Sequence, residues 1–332
     1  MNEMNACENG KSGYSVADRY YPAENPTMYF IGVTTAKSSI RKVFPAWIEY
    51  LNLGPCELKG IDFKLHEEPQ KYREAVEFIK NDPLSLGALV TTHKIDLLKA
   101  CYDKFDFLDE YATLMVEISC ISKKDGKLFG HAKDPISSGF SLDAFIPKNH
   151  WEKTGAEVLI LGAGGSAIAV SWYLMRKDHG NNRPSKIYIV NRSTHRLKEM
   201  KHIHDQINTS VDVEYIHSPN HDIADKIMNR LMPGSMVINA TGLGKDAPGS
   251  PVSDKATFPR DGFVWDFNYR GDLIFLDQAR KQKKEQNLYI EDGWVYFIHG
   301  WTRVIAEVFH VDIPTNGLVF DKLSELAALQ RR

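Results

Sequence analysis

A chain of 332 residues is longer than one hydrophobic core usually serves, so two domains are expected. With 43% hydrophobic and 25% charged residues it has an ordinary globular composition, and a formal net charge of −2 gives no field to draw nucleic acid or an anionic membrane. No apolar run reaches the roughly 18–20 residues that span a bilayer. Cys7, Cys56, Cys101 and Cys120 form no C-x-x-C pair, which suits free thiols in a reducing cytoplasm.

Residues 1–27 read as a polar extension without the basic start and apolar stretch of a secretory signal. MYFIGVT (28–34) is then an apolar strand, VFPAWIEYLNL (43–53) has apolar residues at helical spacing, and ELKGIDFKL (57–65) alternates like a strand. PQKYREAVEFIKND (69–82) is an amphipathic helix that stops before Pro83. LGALVTT (86–92) is a second buried strand, and 95–115 reads as one or two helices. In ISCISKKDGKLFGHAKD (118–134) an Asp-Gly turn between alternating runs predicts a hairpin.

A break is expected at about 135–155, which carries Pro135, Pro147 and the polar KNHWEKTG. EVLILGAGGSAIAVSWYLMRK then reads as strand, glycine turn and helix. Further strands follow at KIYIVNRS (186–193), DVEYI (212–216), SMVINAT (235–241), FVWDFN (263–268) and NLYI (287–290). Six short apolar strands with crossovers predict a doubly wound parallel sheet, so the fold class is α/β with a Rossmann-type second unit. The tail, 294–332, is helical and is expected to return to the first unit.

The segment Gly162, Ala163, Gly164, Gly165, Ser166, Ala167 fits G-x-G-x-x-A between a strand and a helix. The first glycine permits a tight turn, the second lets a pyrophosphate approach the backbone, and the small third residue lets the helix sit close to the strand. The helix N-terminus offers free N–H groups to phosphates. The next strand ends in Asn191, Arg192, Ser193, Thr194, His195, Arg196, with no carboxylate to receive a ribose hydroxyl and two arginines suited to a 2′-phosphate. The cofactor expected is therefore NADP rather than NAD. His202/His204 and His217/His221 lack Cys or carboxylate partners, so they read as surface histidines and no metal site is expected.

In this order the motifs resemble the shikimate dehydrogenase family, over roughly residues 28–310. LILGAGGSAIAV is similar to that family's glycine loop, NRSTHR to the segment that grips the 2′-phosphate, and INATGLG (238–244) to its Asn-Ala-Thr loop along the cofactor. VWDFNYRGDLIFLDQA resembles its Asp-x-x-Tyr segment and carries over Asp266 and Tyr269. The resemblance implies cofactor contacts at Gly162–Ala167, Asn191, Arg192, Ser193, Arg196, Ala240, Thr241, Gly242 and Phe267. It implies a substrate-binding domain over 28–134, completed by 294–332, and a dinucleotide-binding domain over 135–293.

The substrate half matches less closely. ALVTTHK supplies Lys94 for the lysine of a Val-Thr-x-Pro-x-Lys segment, with one residue fewer or with Thr92 in place of the proline, and HAKDPISSGF supplies its partner Asp134. Glu117-Ile118-Ser119-Cys120 stands where the family has Ala-Val-Asn-Thr, and Ser38 alone remains of a Ser-x-Ser-Pro. The resemblance implies Lys94 and Asp134 as the acid/base pair and Ser38, Thr91, Ser119, Tyr269 and His299 as substrate contacts. Arg41, Lys133 and His299 are candidates for an anion-binding rim. Burial is expected to lower the Lys94 pKa, while a nearby carboxylate pulls the other way and orients the amine.

The activity implied is reversible hydride transfer between NADP(H) and a cyclic hydroxy acid or ketone such as shikimate and 3-dehydroshikimate, in aromatic amino acid biosynthesis. The alternatives are a quinate-like, aminated-polyol or less polar ketone substrate, since lost polar contacts select strongly against a hydroxylated ligand, or a non-catalytic NADP sensor. A small-molecule substrate, no nucleic acid, no membrane, and a monomer or homodimer in the cytoplasm complete the expectation.

Overall fold

The computed structural model describes residues 20–207, 209–245 and 247–331; residues 1–19, most of the expected N-terminal extension with Cys7, lie outside the described residues. Two six-stranded sheets organise the chain.

The first sheet has the order β2-β1-β3-β5-β6-β4. Its parallel core is β1 (Thr27–Gly32), β2 (Glu57–Asp62) and β3 (Ser85–Val90). The helices α1 (Ile40–Tyr50) and α2 (Pro69–Asn81) make the crossovers, and α1 begins three residues before the expected apolar run. The hairpin is present as β5 (Cys120–Lys124) and β6 (Lys127–His131). Asp125 and Gly126 both have positive φ, 51° and 73°, as the tight two-residue turn requires. Residues 95–115 form two helices, α3 (Lys94–Cys101) and α4 (Glu110–Met115), with an unforeseen edge strand β4 (Phe107–Leu108) between them. Two residues pairing with β6 are too short to leave a periodic signal.

The expected break holds a helix instead. The segment α5 (Asp134–Asp143) starts with Pro135 in its first turn, where a missing N–H costs nothing, and α6 (His150–Thr154) follows. The second sheet is parallel throughout, in the order β12-β11-β10-β7-β8-β9. Its strands are β7 (Val158–Leu161), β8 (Lys186–Asn191), β9 (Asp212–His217), β10 (Met236–Asn239), β11 (Phe263–Asp266) and β12 (Tyr289–Glu291). The order reverses at β7, between β10 and β8, and such a switch point opens a crevice at the strand ends. The helix α7 (Gly165–Met175) rises from that point.

The tail returns to the first sheet, as expected. The helix α11 (Trp294–Phe309) stacks Trp301 edge-on to Phe30 at 5.0 Å. The helix α12 (Gly317–Ala328) accepts the buried Trp47 indole N–H at Leu323 O, 2.8 Å. No helix among the described residues is long and apolar enough to cross a membrane.

The helix α5 joins the two sheets, because α7 lies along it. A Cβ on Gly139 would stand 2.2 Å from the Tyr173 ring, so only glycine permits that approach. The Tyr173 hydroxyl donates to Asp143 at 2.5 Å. The two helices thereby present their N-termini to the same crevice.

Candidate active site

Three helices begin at the crevice, and each brings a functional group. Lys94 is the first residue of α3, Asp134 the first of α5 and Gly165 the first of α7. The Lys94 ammonium donates to Asp134 Oδ2, and their side chains are only 14% and 10% exposed. The turn leading to Lys94 is strained. His93 N–H donates back to Thr91 O at 2.6 Å around Thr92, whose φ is 62°. A γ-turn with positive central φ is rare, and for a β-branched residue it costs about 1–2 kcal/mol. Tyr72 holds the turn from below through a 2.9 Å hydrogen bond to His93 Nδ1.

Burial alone would lower the Lys94 pKa, but Asp134 and Glu117 outweigh it and hold the amine above its ordinary value. The expectation of a lowered pKa is therefore corrected. Two buried carboxylates, not one, face the amine, and the charged form wins. Glu117 escaped sequence reasoning. It is 1% exposed, neither carboxylate oxygen has a hydrogen-bond partner, and burial followed by Asp134 pushes it up to about 7 against the pull of Lys94. Its one signal was a lone acid inside the apolar run LMVEISCIS. Tyr296 on α11 was also missed; its hydroxyl bonds Ser166 and Asp134, and burial and then the Asp134 charge raise its pKa well above normal. Its ring stacks on Phe267 at 4.9 Å.

The glycine turn has the geometry a dinucleotide needs. Gly162 has φ 117°, and a Cβ there would lie 2.7 Å from Ala240 O. A Cβ on Gly164 would meet nothing within 4 Å, so the approach to the helix N-terminus is open. Ala163 and Ala167 are buried, which seats α7 close to β7. At the end of β8, Asn191 Nδ2 donates to Ser193 O, and Ser193 Oγ caps the next helix, α8 (Thr194–His204), by accepting from Arg196 N–H. Arg196 is paired with Glu199 at 3.0 Å. Arg192 is exposed, its guanidinium engaged by no hydrogen bond or ion pair among the described residues.

Opposite the turn, Asn239 Oδ1 accepts from the backbone and hydroxyl of Thr241, and Asn239 Nδ2 donates to Asp266. Asn268 Nδ2 donates to the carbonyls of Thr241 and Leu243. This network fixes the loop of Ala240, Thr241 and Gly242. Asp266 is fully buried, and burial pushes it up to about 7. It supports the loop from beneath and lies out of reach of solvent.

The expected substrate contacts divide. Ser38 follows a short turn whose Lys37 carbonyl accepts from Arg270 at 3.1 Å, so the loop next to Tyr269 and the loop of Ser38 meet across the crevice. Tyr269 packs on Trp294 and Phe297. Thr91 is half-buried at the start of the strained turn. Ser119 is buried, and its hydroxyl accepts from Lys133 N–H at 2.7 Å. His299 is placed otherwise. It is 2% exposed between Phe140 and Phe320, stacked on the latter at 4.3 Å, and burial lowers its pKa to about 4. It is a packed ring whose buried Nδ1 has no hydrogen-bond partner among the described residues.

The residues expected to form an anion-binding rim are engaged unequally. The Lys133 ammonium pairs with Glu307 at 2.7 Å and Asp109 at 3.7 Å, and the Arg41 guanidinium donates to Leu58 O. Lys133 is thus paired within the fold, while Arg41 is exposed and meets only a backbone carbonyl. His204 is likewise no surface histidine, since it is buried between Ser171 and Tyr215 with its pKa lowered to about 4. Two cavities, of about 310 Å³ beside Trp151 and Tyr173 and about 540 Å³ beside Tyr20 and Gly60, are lined by none of Lys94, Asp134 or the glycine turn.

No protein-family model matches the chain. A shikimate dehydrogenase (NADP(+)) of Streptococcus thermophilus is 29% identical over 183 residues, 54% of this chain and 59% of that protein. One from Nitrosopumilus maritimus is 23% identical over 249 residues, 74% of this chain and 81% of the relative. The chain resembles the shikimate dehydrogenase family. The match thus spans less than two thirds of the Streptococcus relative. A solved shikimate dehydrogenase in complex with NADP+ superposes with TM-score 0.69 at 20% identity, covering 93% of this chain and 96% of the other. A 5-ketofructose reductase of Gluconobacter superposes at 0.64 and 18% identity, over 92% and 98%. The chain therefore has the fold of these structures.

Proposed function

We propose that the protein is an NADP-dependent oxidoreductase of the shikimate dehydrogenase kind, moving a hydride reversibly between NADP(H) and a cyclic hydroxy acid or ketone such as shikimate and 3-dehydroshikimate. The observation that carries this is the buried Lys94–Asp134 pair at the mouth of the glycine turn. In this reading 28–134 with 294–332 bind substrate and 135–293 the cofactor. The open approach at Gly164 and the Gly162 turn against Ala240 fit NADP. The N–H groups at the start of α7 would hold its pyrophosphate, and Arg192 would face the 2′-phosphate. When bound there, NADP(H) supplies the hydride carrier.

The residues of the chain supply the proton chemistry. With its pKa raised, Lys94 is an ammonium at neutral pH and donates to the carbonyl oxygen of a ketone under reduction. In oxidation the alcohol proton goes to the Lys94 amine once that amine has lost its own, and Asp134 keeps the amine aimed at the oxygen. Tyr296 holds Asp134 in turn. The crevice excludes water from the pair, which strengthens each of these contacts.

The test is absorbance at the nicotinamide band with NADP or NAD across shikimate, quinate and other cyclic hydroxy acids. NADP-dependent turnover of shikimate is the expected outcome. Turnover of quinate or a polyol alone would move the substrate while keeping the chemistry, and no turnover of any member would remove the proposal.

A further inference from the structure

Glu117 is the buried acid that the proton chemistry above leaves unused. It lies in the link between α4 and β5, held from two sides. Ile118 N–H donates to Lys94 O at 3.3 Å, which ties the link to α3. Glu117 Oε2 lies against the first residue of α7, 2.2 Å from where a Cβ on Gly165 would be. Any side chain at position 165 would displace it. Lys94 from α3, Asp134 from α5 and Tyr296 from α11 are the titratable groups that face it. Despite these neighbours both its oxygens lack a hydrogen-bond donor.

The N-terminus of α7 carries the positive end of a helix dipole, and phosphates bind at such ends. The space at Gly164, next to Gly165, is open for them. An ionised Glu117 and an arriving phosphate would then stand at the same helix end in a medium of low dielectric, where like charges cannot both remain. We propose that Glu117 couples cofactor binding to protonation, taking up one proton from solvent when the phosphates of a dinucleotide bind at the Gly162–Ser166 turn. This rests on the reading of that turn as the NADP site. The coupling is reciprocal, so protonation of Glu117 tightens cofactor binding by the same factor. Its pKa of about 7 in the free protein places the effect in the physiological range.

The experiment is NADPH binding followed by fluorescence from pH 5.5 to 8.5, without substrate, in the wild type and in Glu117→Gln. In the wild type the Kd is expected to rise above pH 7 by up to about tenfold per pH unit. In Glu117→Gln that component of the slope disappears, and binding at pH 8 is tighter than in the wild type. The 2′-phosphate of the cofactor titrates near pH 6 in both proteins, so the difference between the curves belongs to Glu117. Calorimetry of the wild type in buffers of different ionisation heat counts the protons directly and needs no variant; net uptake approaching one proton at pH 8 is expected. Equal slopes in the two proteins, or no uptake at pH 8, would overturn the proposal. If NADPH fails to bind at every pH, the dinucleotide reading falls and takes the proposal with it, an outcome distinct from pH-independent binding.

Discussion

Replacing Lys94 with methionine removes one charge and keeps most of the volume. Lys94 faces both Asp134 and Glu117, and its partner Asp134 is only 10% exposed. Removing one member of a buried pair costs about 3–5 kcal/mol, because the surviving charge is left unpaired in a low dielectric. The site can escape that cost only by taking up protons. Glu117 is already pushed up to about 7 with Lys94 present, and it goes higher without it. An acid whose folded pKa is raised loses stability as pH rises through that value, so the penalty, part of which comes from the unpaired Asp134 at either pH, is smaller at pH 5.5 than at pH 8. Urea unfolding at the two pH values measures this, and initial rates with NADPH measure the chemistry. Turnover is expected to fall by about 10²–10⁴-fold, the usual worth of a positioned proton donor. NADPH affinity at pH 6, where Glu117 is protonated in both proteins, stays within a few-fold. Turnover within threefold of the wild type, or a stability loss equal at the two pH values, would refute the reasoning.

Other sites give sharper single readouts. Arg192→Ser should weaken NADPH by roughly ten- to hundredfold, the worth of a charge-assisted hydrogen bond, and leave NADH nearly unchanged; equal losses for both cofactors would count against a 2′-phosphate contact. Gly162→Ala sets a Cβ against Ala240 O at φ 117°, so a destabilisation of about 1–3 kcal/mol is expected with loss of NADPH binding. Thr92→Asn tolerates the left-handed backbone better and should raise stability by about 1 kcal/mol in urea unfolding; an unchanged midpoint would mean that the turn holds no strain. With the Lys94 pKa raised, ketone reduction at saturating NADPH should hold level to alkaline pH while alcohol oxidation at saturating NADP climbs with pH, and parallel profiles would remove Lys94 as the proton donor.

Much of this protein was legible in its sequence because it was written in local terms. Strand and helix periods, the Asp125-Gly126 turn and the spacing of Gly162, Gly164 and Ala167 each depend on a few neighbouring residues and on backbone sterics. That was enough to give an α/β chain with a parallel second sheet, a return of the tail and a pairing of Lys94 with Asp134 by analogy of motif. The tertiary structure decided what depends on partners far apart in the chain. Lys133 looked like a spare cation until Glu307, 174 residues later, arrived beside it. His299 gains its aromatic neighbours Phe140 and Phe320 only when α5 and α12 close over it. Pro135 looked like a break until α5 formed and seated Gly139 on Tyr173. The sign of the Lys94 shift turned on a second buried carboxylate, and Glu117 becomes part of the site only because folding lays it against Gly165. Charges interact through space and through the water that folding removes, and a linear sequence records neither distance nor desolvation.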